Sequence, residues 1–196
     1  MDEVLIYFID TNKYNVLDLK KAFVLSDLDL KKLDLINNEK IYKEKYISLY
    51  FKRRFAGDFT INEYEKPVSK KIFFNVSHSH GLVAVALCKN REIGFDIELV
   101  RPYKKEMEQY ISNEKDIKSI IDDRSFFKLW TSKESLVKCD GLGIRCEVKN
   151  IPGLPLDGQK EFLNNSYYSK SFSYLDYECS ISLKGKDDFI YKINII

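Results

Sequence analysis

A six-residue stretch of alternating character, residues 93–98, most limits what this chain can fold into. Three apolar residues there alternate with a glycine and two acids, which is the two-residue period of a strand that buries one face. The alternation puts the carboxylates of Asp96 and Glu98 on the other face, ~6.6 Å apart along the strand. Because like charges at this spacing repel, the pattern indicates either two solvated acids or a hard cation held between them.

Length and composition indicate a globular protein but do not identify its partners. The chain has 196 residues, 44% hydrophobic and 32% charged, with a net charge of +2, enough for one generous domain or two small ones. We expect a cytoplasmic protein without membrane contact, because neither a signal-peptide pattern nor a bilayer-length apolar run is present. Four cysteines without a C-x-x-C pair argue against a zinc site or a disulfide framework: Cys88, Cys139, Cys146 and Cys179.

Strand and helix periodicities alternate along the chain and predict an α+β fold with antiparallel sheets. The predicted strands are residues 4–9, 59–64, 72–76, 82–88, 93–98, 167–175, 177–183 and 189–195. Two long helices are predicted over residues 39–55 and 123–140, the first capped by Asn37 or Asn38 and the second by Asp122 or Asp123 and ended by the glycines at 141 and 143. Shorter helices are expected within 16–36 and 103–121. The strands 72–76, 82–88 and 93–98 predict an antiparallel meander, with residues 77–81 between the first two.

The first long helix is strongly basic. Residues 37–54 contain six lysines and arginines against two glutamates, a local charge of +4. Such a helix either presents a solvated face or binds an anion.

Two further stretches carry reactive side chains. On the second helix, Glu134 and Lys138 are four residues apart and share a face, so they form a surface ion pair or place Glu134 beside Asp96 and Glu98 as a third carboxylate on Mg²⁺. Ser77 and His78 end a predicted strand. A zinc pair or a hydrolase nucleophile lacks the companion residues it needs, so hydrogen bonding to a phosphate fits these residue types better.

Three motifs in this order resemble those of the 4'-phosphopantetheinyl transferases, specifically the longer type that activates surfactin synthetase. They are Phe-Asn-Val-Ser-His-Ser at 74–79, Gly-Phe-Asp-Ile-Glu at 94–98 and Trp-Thr-Ser-Lys-Glu-Ser-Leu-Val-Lys at 130–138. Phe95 replaces the usual Ile or Val, and Glu65 replaces the glycine of the family's Gly-Lys-Pro. The resemblance implies the family fold, two similar α/β halves forming a pseudo-dimer, here residues 1–100 and 101–196.

The resemblance also implies the site. Coenzyme A would bind with Mg²⁺, for which Mn²⁺ can substitute, on its pyrophosphate, and the metal ligands would be Asp96, Glu98 and Glu134. Glu134 would act as the base and Lys138 would contact the transferring phosphate. Coenzyme A would also be contacted by Lys66, Ser77 and His78, and by basic residues whose register the motifs do not fix: Lys43, Lys45, Lys52 and Arg53.

The implied reaction transfers 4'-phosphopantetheine to a serine of an apo acyl or peptidyl carrier protein, in antibiotic or fatty acid biosynthesis. Carrier proteins are acidic, and residues 103–121 are the expected docking segment. The ~90 residues before Asp96 favour the long, monomeric type over the short trimeric one. A non-catalytic module binding coenzyme A or a carrier is the main alternative. A different Mg²⁺-dependent phosphotransferase or nuclease lacks support, because neither a P-loop nor a basic-aromatic face for nucleic acid is present.

Overall fold

The computed structural model describes residues 1–64, 66–141, 143 and 147–196, and it confirms the α+β class. The strands are β1 (Asp2–Asp10), β2 (Thr60–Ile61), β3 (Pro67–Val68), β4 (Phe73–Ser79), β5 (Leu82–Cys88), β6 (Ile93–Leu99), β7 (Gly158–Phe162), β8 (Asn165–Tyr174), β9 (Tyr177–Lys184) and β10 (Phe189–Ile195). The α-helices are α1 (Val16–Ala22), α2 (Asp27–Lys31), α3 (Glu39–Phe51), α4 (Glu106–Ile111) and α5 (Asp123–Asp140). A π-helical turn, Lys52–Ala56, continues α3, and 3-10 turns occur at Thr11–Lys13, Ile117–Ser119 and Val148–Asn150.

The strands form two four-stranded sheets and a small ribbon of β2 and β3. The first sheet has the order β10-β1-β5-β4 and the second the order β6-β9-β8-β7. Neighbouring strands are antiparallel except β1 and β10, which run parallel. The predicted meander is wrong at its third strand. Since β1 already occupies the second edge of β5, β6 crosses to the other sheet and pairs with β9.

The hairpin between β4 and β5 is tighter than the sequence predicts. Strand β4 continues through Ser77 and His78 to Ser79, so these residues lie in the strand and not in a loop. The turn consists of His80 and Gly81, both in the left-handed region with φ of 49° and 93°. Two such residues match the right-handed twist of the flanking strands.

Two other sequence predictions need correction. The strand expected at 59–64 is reduced to the two residues of β2. Strand β7 was not predicted, because its sequence, Gly-Gln-Lys-Glu-Phe, lacks the apolar alternation of a half-buried strand. It is an edge strand with mainly polar side chains, and its pairing with β8 defines it.

The apolar core has three parts arranged in layers. The middle part lies between the two sheets, where Ile93, Phe95 and Ile97 of β6 pack against residues of β1 and β5, as their alternation predicts. A second part lies between the first sheet and α3. The third joins α5 to α4, to the 3-10 turn that follows α5, and to Tyr167 on the outer face of the second sheet. The acids of β6 therefore face α5.

Both long helices begin at the predicted caps. The Asn38 side chain accepts from the backbone N–H of Ile41, and the Asp122 side chain accepts from the backbone N–H of Ser125. Helix α5 ends at Gly141, whose φ of 80° is the left-handed conformation that a glycine stop requires. The predicted stop also includes Leu142, which lies outside the described residues.

The two sheets exchange strands across the predicted division at residues 100 and 101. Strand β6 precedes that division but belongs to the sheet of β7 to β9, and β10 follows it but pairs with β1. The two halves and their pseudo-dimeric relation remain predictions. Within the described residues, no helix is both long and apolar enough to cross a membrane. Cys88, Cys139 and Cys179 are buried free thiols, and Cys146 lies outside the described residues.

Candidate active site

The three motifs meet where the two sheets touch. Strands β4 and β6 are edge strands of different sheets and lie side by side, and α5 covers β6. They enclose a cavity of ≈ 270 Å³. Its lining combines most of the predicted site residues: Ser77, His78, Asp96, Glu98, Glu134 and Lys138, with Val76 and Trp130.

Side chains of β4 attach it to the free edge of β6. Asn75, Ser77 and Ser79 alternate along β4 and are all buried. The Asn75 Oδ1 accepts from the backbone N–H of Phe95 at 3.2 Å, and the Ser79 Oγ accepts from the backbone N–H of Leu99 at 3.3 Å. These contacts satisfy edge N–H groups that a neighbouring strand would otherwise bind.

Each acid of the Asp-Ile-Glu motif has one oxygen held by the protein. Asp96 Oδ1 accepts from the Ser77 hydroxyl at 2.9 Å and from the Lys138 ammonium at 2.6 Å. Glu98 Oε2 accepts from Ser79 Oγ at 2.8 Å and from Arg101 Nη1 at 3.1 Å. Asp96 Oδ2 is buried and has no hydrogen-bond partner in the described part of the chain.

Glu134 is the most perturbed acid of the cavity. Its pKa is raised to about 7 by burial first and by the charge of Asp96 second, with a smaller contribution from Glu98, while Lys138 opposes the rise. This mutual repulsion is what a bound divalent cation relieves. Among the described residues no three His, Cys, Asp or Glu side chains already surround a metal position, and Lys138 is the cation beside Asp96. The oxygen donors and the unpartnered Asp96 Oδ2 nevertheless fit Mg²⁺.

Lys66 lies at the C-terminal end of α5. Its Nζ donates to the carbonyl of Cys139 at 2.8 Å, and burial lowers its pKa. It lines a cavity of ≈ 230 Å³ that also contacts Glu134 and Lys138. Lys66 therefore shares a cavity with Glu134 and Lys138, and its contact with coenzyme A stays a prediction. Glu65, the departure from Gly-Lys-Pro, lies outside the described residues.

The basic helix contributes only part of its predicted set. Lys45 and Lys52 line a cavity of ≈ 320 Å³ together with His78 and with Lys32, which the sequence did not single out. Burial and the charge of Lys45 lower the pKa of Lys52. This cavity and the acidic one share His78 and Val76.

The other two basic candidates are engaged elsewhere. The Lys43 ammonium donates to the Tyr14 carbonyl at 3.1 Å, and Arg53 binds Asp29 through two nitrogens, each at 2.9 Å. Neither Lys43 nor Arg53 is among the lining of the basic cavity.

Comparison with known proteins adds an independent observation. Residues 92–185 match the family model described as the 4'-phosphopantetheinyl transferase superfamily. This segment is similar to that superfamily. The resemblance is thereby confirmed over the second and third motifs, and the match covers β6, α5 and the strands β7 to β9 that complete the second sheet.

Three curated relatives carry the name 4'-phosphopantetheinyl transferase. The chain is 37% identical to gsp of Aneurinibacillus migulanus over 100 residues, 47% of this chain and 42% of the relative. It is 34% identical to HetI of Nostoc sp. (strain PCC 7120 / SAG 25.82 / UTEX 2576) over 82 residues, 37% of this chain and 34% of the relative. It is 30% identical to Sfp of Bacillus subtilis (strain 168) over 108 residues, 50% of this chain and 44% of the relative. The chain thus spans less than half of the length of each relative.

Glu44, on α3, has a role that the sequence did not reveal. It is only 6% exposed. Its Oε2 lies 3.2 Å from His78 Nδ1, and its Oε1 accepts from the Gly81 backbone N–H. Burial by itself would raise the pKa of Glu44, but these two hydrogen bonds outweigh it and the pKa lies below its usual value. Glu44 therefore fixes the ring of His78. Its spacing within a basic helix gave no signal for this.

The motif lysine at position 133 is a structural residue. It is fully buried, and its Nζ contacts Asp116 Oδ2 at 2.5 Å and the carbonyl of Ile151 at 2.6 Å. A second buried lysine, Lys160, lies beside it, and burial followed by the charge of Lys133 lowers the pKa of Lys160 to about 7. These lysines attach the residues after α5 to the underside of the helix.

Proposed function

We propose that this protein transfers the 4'-phosphopantetheine group of coenzyme A to a serine of an apo acyl or peptidyl carrier protein, with release of 3',5'-ADP. The observation that supports this best is the convergence of Asp96, Glu98, Glu134 and Lys138 on one cavity. That cavity shares His78 with a second, basic cavity. A cluster of carboxylates that could bind a divalent cation lies next to a basic cavity, and this arrangement suits a substrate with a pyrophosphate and a further phosphate.

The metal would be held by Asp96, Glu98 and Glu134. Mg²⁺, or Mn²⁺ in its place, supplies positive charge at the pyrophosphate when bound. The unpartnered Asp96 Oδ2 is the donor that most needs such a ligand, because a buried carboxylate oxygen without a partner is costly.

The phosphates of coenzyme A would lie between the two cavities. Lys45, Lys52 and Lys32 give the basic cavity a positive lining, and the 3'-phosphate end would bind there. Ser77 and His78 are successive residues of β4 and face opposite sides of the sheet, yet both reach the acidic cavity because β4 is an edge strand. Lys66 would approach coenzyme A from the end of α5.

The reaction forms one bond and breaks another at phosphorus. The hydroxyl oxygen of the carrier serine attacks the β-phosphorus of coenzyme A, and the bond from that phosphorus to the oxygen of the leaving 3',5'-ADP breaks. Glu134 would act as the base that accepts the serine proton. Lys138 would stabilise charge on the phosphate oxygens, and the rest of the rate enhancement would come from positioning.

The carrier would dock on residues 103–121. This segment exposes apolar side chains, Met107, Tyr110, Ile117 and Ile121, between exposed lysines at positions 104, 105, 115 and 118. Four acids of the segment, at positions 106, 108, 114 and 116, balance these lysines, so the exposed apolar side chains carry the proposal and the lysines would contact acids of the carrier. We expect the protein to act in the cytoplasm, as a monomer.

Mass spectrometry of apo carrier proteins incubated with the protein, Mg²⁺ and coenzyme A tests the proposal. A carrier from a fatty acid or peptide synthase should gain the mass of phosphopantetheine, and Asp96→Ala should abolish both this gain and Mg²⁺-dependent coenzyme A binding. Asp188→Asn is the control, because Asp188 pairs with Lys170 away from the cavity. Binding of coenzyme A without modification of any carrier would instead support the non-catalytic binding module.

A further inference from the structure

We propose that Ser79 and Arg101 are positioning residues that fix the Glu98 carboxylate, so that its Oε1 alone is left for the divalent cation. The proposal rests on the proposed function, because it concerns the same metal. Neither residue belongs to the set of metal ligands, coenzyme A contacts and catalytic groups assigned above.

Ser79 is committed to Glu98 by its surroundings. It is 5% exposed, and its hydroxyl donates to Glu98 Oε2 at 2.8 Å. Its oxygen accepts from the Leu99 backbone N–H at 3.3 Å and lies 3.0 Å from His80 Nδ1. Since the single hydroxyl proton is directed to Glu98, the lone pairs are left for the Leu99 N–H and, in the tautomer that carries a proton on Nδ1, for His80.

Arg101 supplies a second donor to the same carboxylate oxygen. Its Nη1 lies 3.1 Å from Glu98 Oε2 and donates to the Leu99 carbonyl at 2.8 Å. Its guanidinium lies over the ring of Phe127 on α5, 4.6 Å from the ring centre. The arginine is therefore fixed by the strand and by the helix, so it defines where Glu98 Oε2 lies.

The arrangement repeats the one at Asp96. Ser77 and Ser79 are two residues apart on β4, and Asp96 and Glu98 are two residues apart on β6. In each pair a serine and a cation bind one carboxylate oxygen: Ser77 with Lys138 at Asp96, and Ser79 with Arg101 at Glu98. At Asp96 the other oxygen is left without a partner in the described residues. The same division at Glu98 leaves Oε1 as the donor for the metal.

This division has a consequence for metal affinity. A carboxylate that is held by one oxygen can neither rotate away nor bind the metal through both oxygens. Its side chain therefore loses less conformational entropy when the metal binds. Loss of such an outer hydrogen bond typically weakens metal binding ~10–100-fold. The effect should fall on the metal and leave the fold intact.

Mn²⁺ binding in the presence of coenzyme A, followed by electron paramagnetic resonance, tests the proposal without reference to activity. Ser79→Ala should weaken Mn²⁺ binding ~10–100-fold and Arg101→Met by a similar factor, whereas Ser79→Thr, which keeps the hydroxyl, should restore most of the affinity. Ser166→Ala is the matched control, since the Ser166 hydroxyl donates to Glu161 Oε1 at 2.8 Å on an exposed part of the second sheet. Its Mn²⁺ affinity should equal that of the wild type.

The outcomes separate this proposal from the proposed function. Suppose that the wild type binds Mn²⁺ and that Asp96→Asn does not. If Ser79→Ala and Arg101→Met then bind Mn²⁺ as tightly as the wild type does, the positioning role of Ser79 and Arg101 is overturned and the metal site stands. If the wild type binds no Mn²⁺, both are overturned. Urea unfolding checks each variant. Should Ser79→Ala not fold, Arg101→Met decides, because the Arg101 side chain is 40% exposed and its replacement leaves the core intact.

Discussion

The two long helices cover the two sheets in different ways. Helix α3 packs on the first sheet through large buried side chains such as Tyr46, Ile47 and Phe51. Helix α5 packs on the second sheet largely through hydroxyls: Thr131 contacts Ser180 at 3.0 Å and Ser135 contacts Ser182 at 2.9 Å, all fully buried.

Close approach is the second difference between the helices. A Cβ at Gly94 of β6 would lie 1.9 Å from the backbone oxygen of Ser135 and 2.2 Å from the backbone nitrogen of Cys139. Only glycine therefore allows α5 this near to β6. Apolar packing is non-directional, whereas hydrogen bonds and backbone contact fix distance and angle. The acids proposed to bind the metal would need that precision, since Glu134 and Asp96 come from different elements, whereas the lysines of the basic helix would act through charge over longer distances.

Lys133→Met should have the largest effect, because it breaks the buried attachment of α5. We expect it to lower the free energy of unfolding by ~3–5 kcal/mol, since Asp116 would remain as a buried charge without its ammonium. Urea unfolding at pH 7 measures this. The double variant Lys133→Met with Asp116→Asn should recover part of the loss; a loss below ~1 kcal/mol in the single variant would contradict the buried pair.

Gly94→Ala tests the close approach directly. The added methyl meets backbone atoms that cannot move aside, so we expect a loss of ~1–3 kcal/mol in unfolding free energy together with weaker metal-dependent coenzyme A binding. Urea unfolding and calorimetric titration of coenzyme A with and without Mg²⁺ measure the two effects. Unchanged stability would show that α5 can retreat from β6 at little cost.

Glu44→Gln extends the comparison to the α3 side. Because the neutral amide of this variant accepts a hydrogen bond from the His78 ring less strongly than the Glu44 carboxylate does, coenzyme A affinity should fall roughly tenfold, the range of one hydrogen bond to a charged group. Calorimetry measures the affinity, and ¹⁵N NMR of the imidazole reports its tautomer. Glu39→Gln is the control, since Glu39 is exposed on the same helix and lies 3.5 Å from Lys43. Equal affinities of the two variants would refute the role of Glu44.

The smallest effect is expected at the ion pair of Arg53 with Asp29. The Arg53 side chain is 32% exposed, so Arg53→Met should lower the free energy of unfolding by only ~1 kcal/mol at pH 7.

The same ion pair makes stability depend on pH. Hydrogen bonds from Arg53, and then from Lys32 and Ser26, lower the pKa of Asp29 to about 2, although burial alone would raise it. The stabilisation is therefore complete above the ordinary pKa of 3.8 and is lost as pH falls from about 4 to 2. As pH falls through this range, the urea concentration at the midpoint of unfolding should decrease more steeply for the wild type than for Asp29→Asn. Parallel curves would contradict the lowered pKa.

The sequence was sufficient for the elements whose signals are local. The caps at Asn38 and Asp122, the glycine stop at Gly141 and the alternation of β6 follow from neighbouring residues alone, and the structure agrees with each. The motifs likewise predicted that Asp96, Glu98, Glu134 and Lys138 share one site, and they line one cavity. The roles of these residues remain proposals.

Pairing between distant segments was beyond the sequence. The crossing of β6 to β9, the polar strand β7 and the insertion of β1 between β5 and β10 depend on which edge is free once the other strands are in place. The same is true of the basic helix, where Lys45 and Lys52 line the cavity and Asp29 binds Arg53. Periodicity alone does not show which of the three lysines and one arginine predicted there reaches the cavity.

The sequence by itself determined the chemistry of this protein: an acidic pair on a half-buried strand, a third acid and a lysine one helical turn apart, and a basic helix. Only the tertiary structure decided which oxygen of each acid is bound by the protein and which is left for a ligand. Ser79 and Glu44 reach their carboxylate and imidazole partners across strand and helix boundaries. Such contacts depend on direction and burial, which packing creates and a linear pattern does not contain.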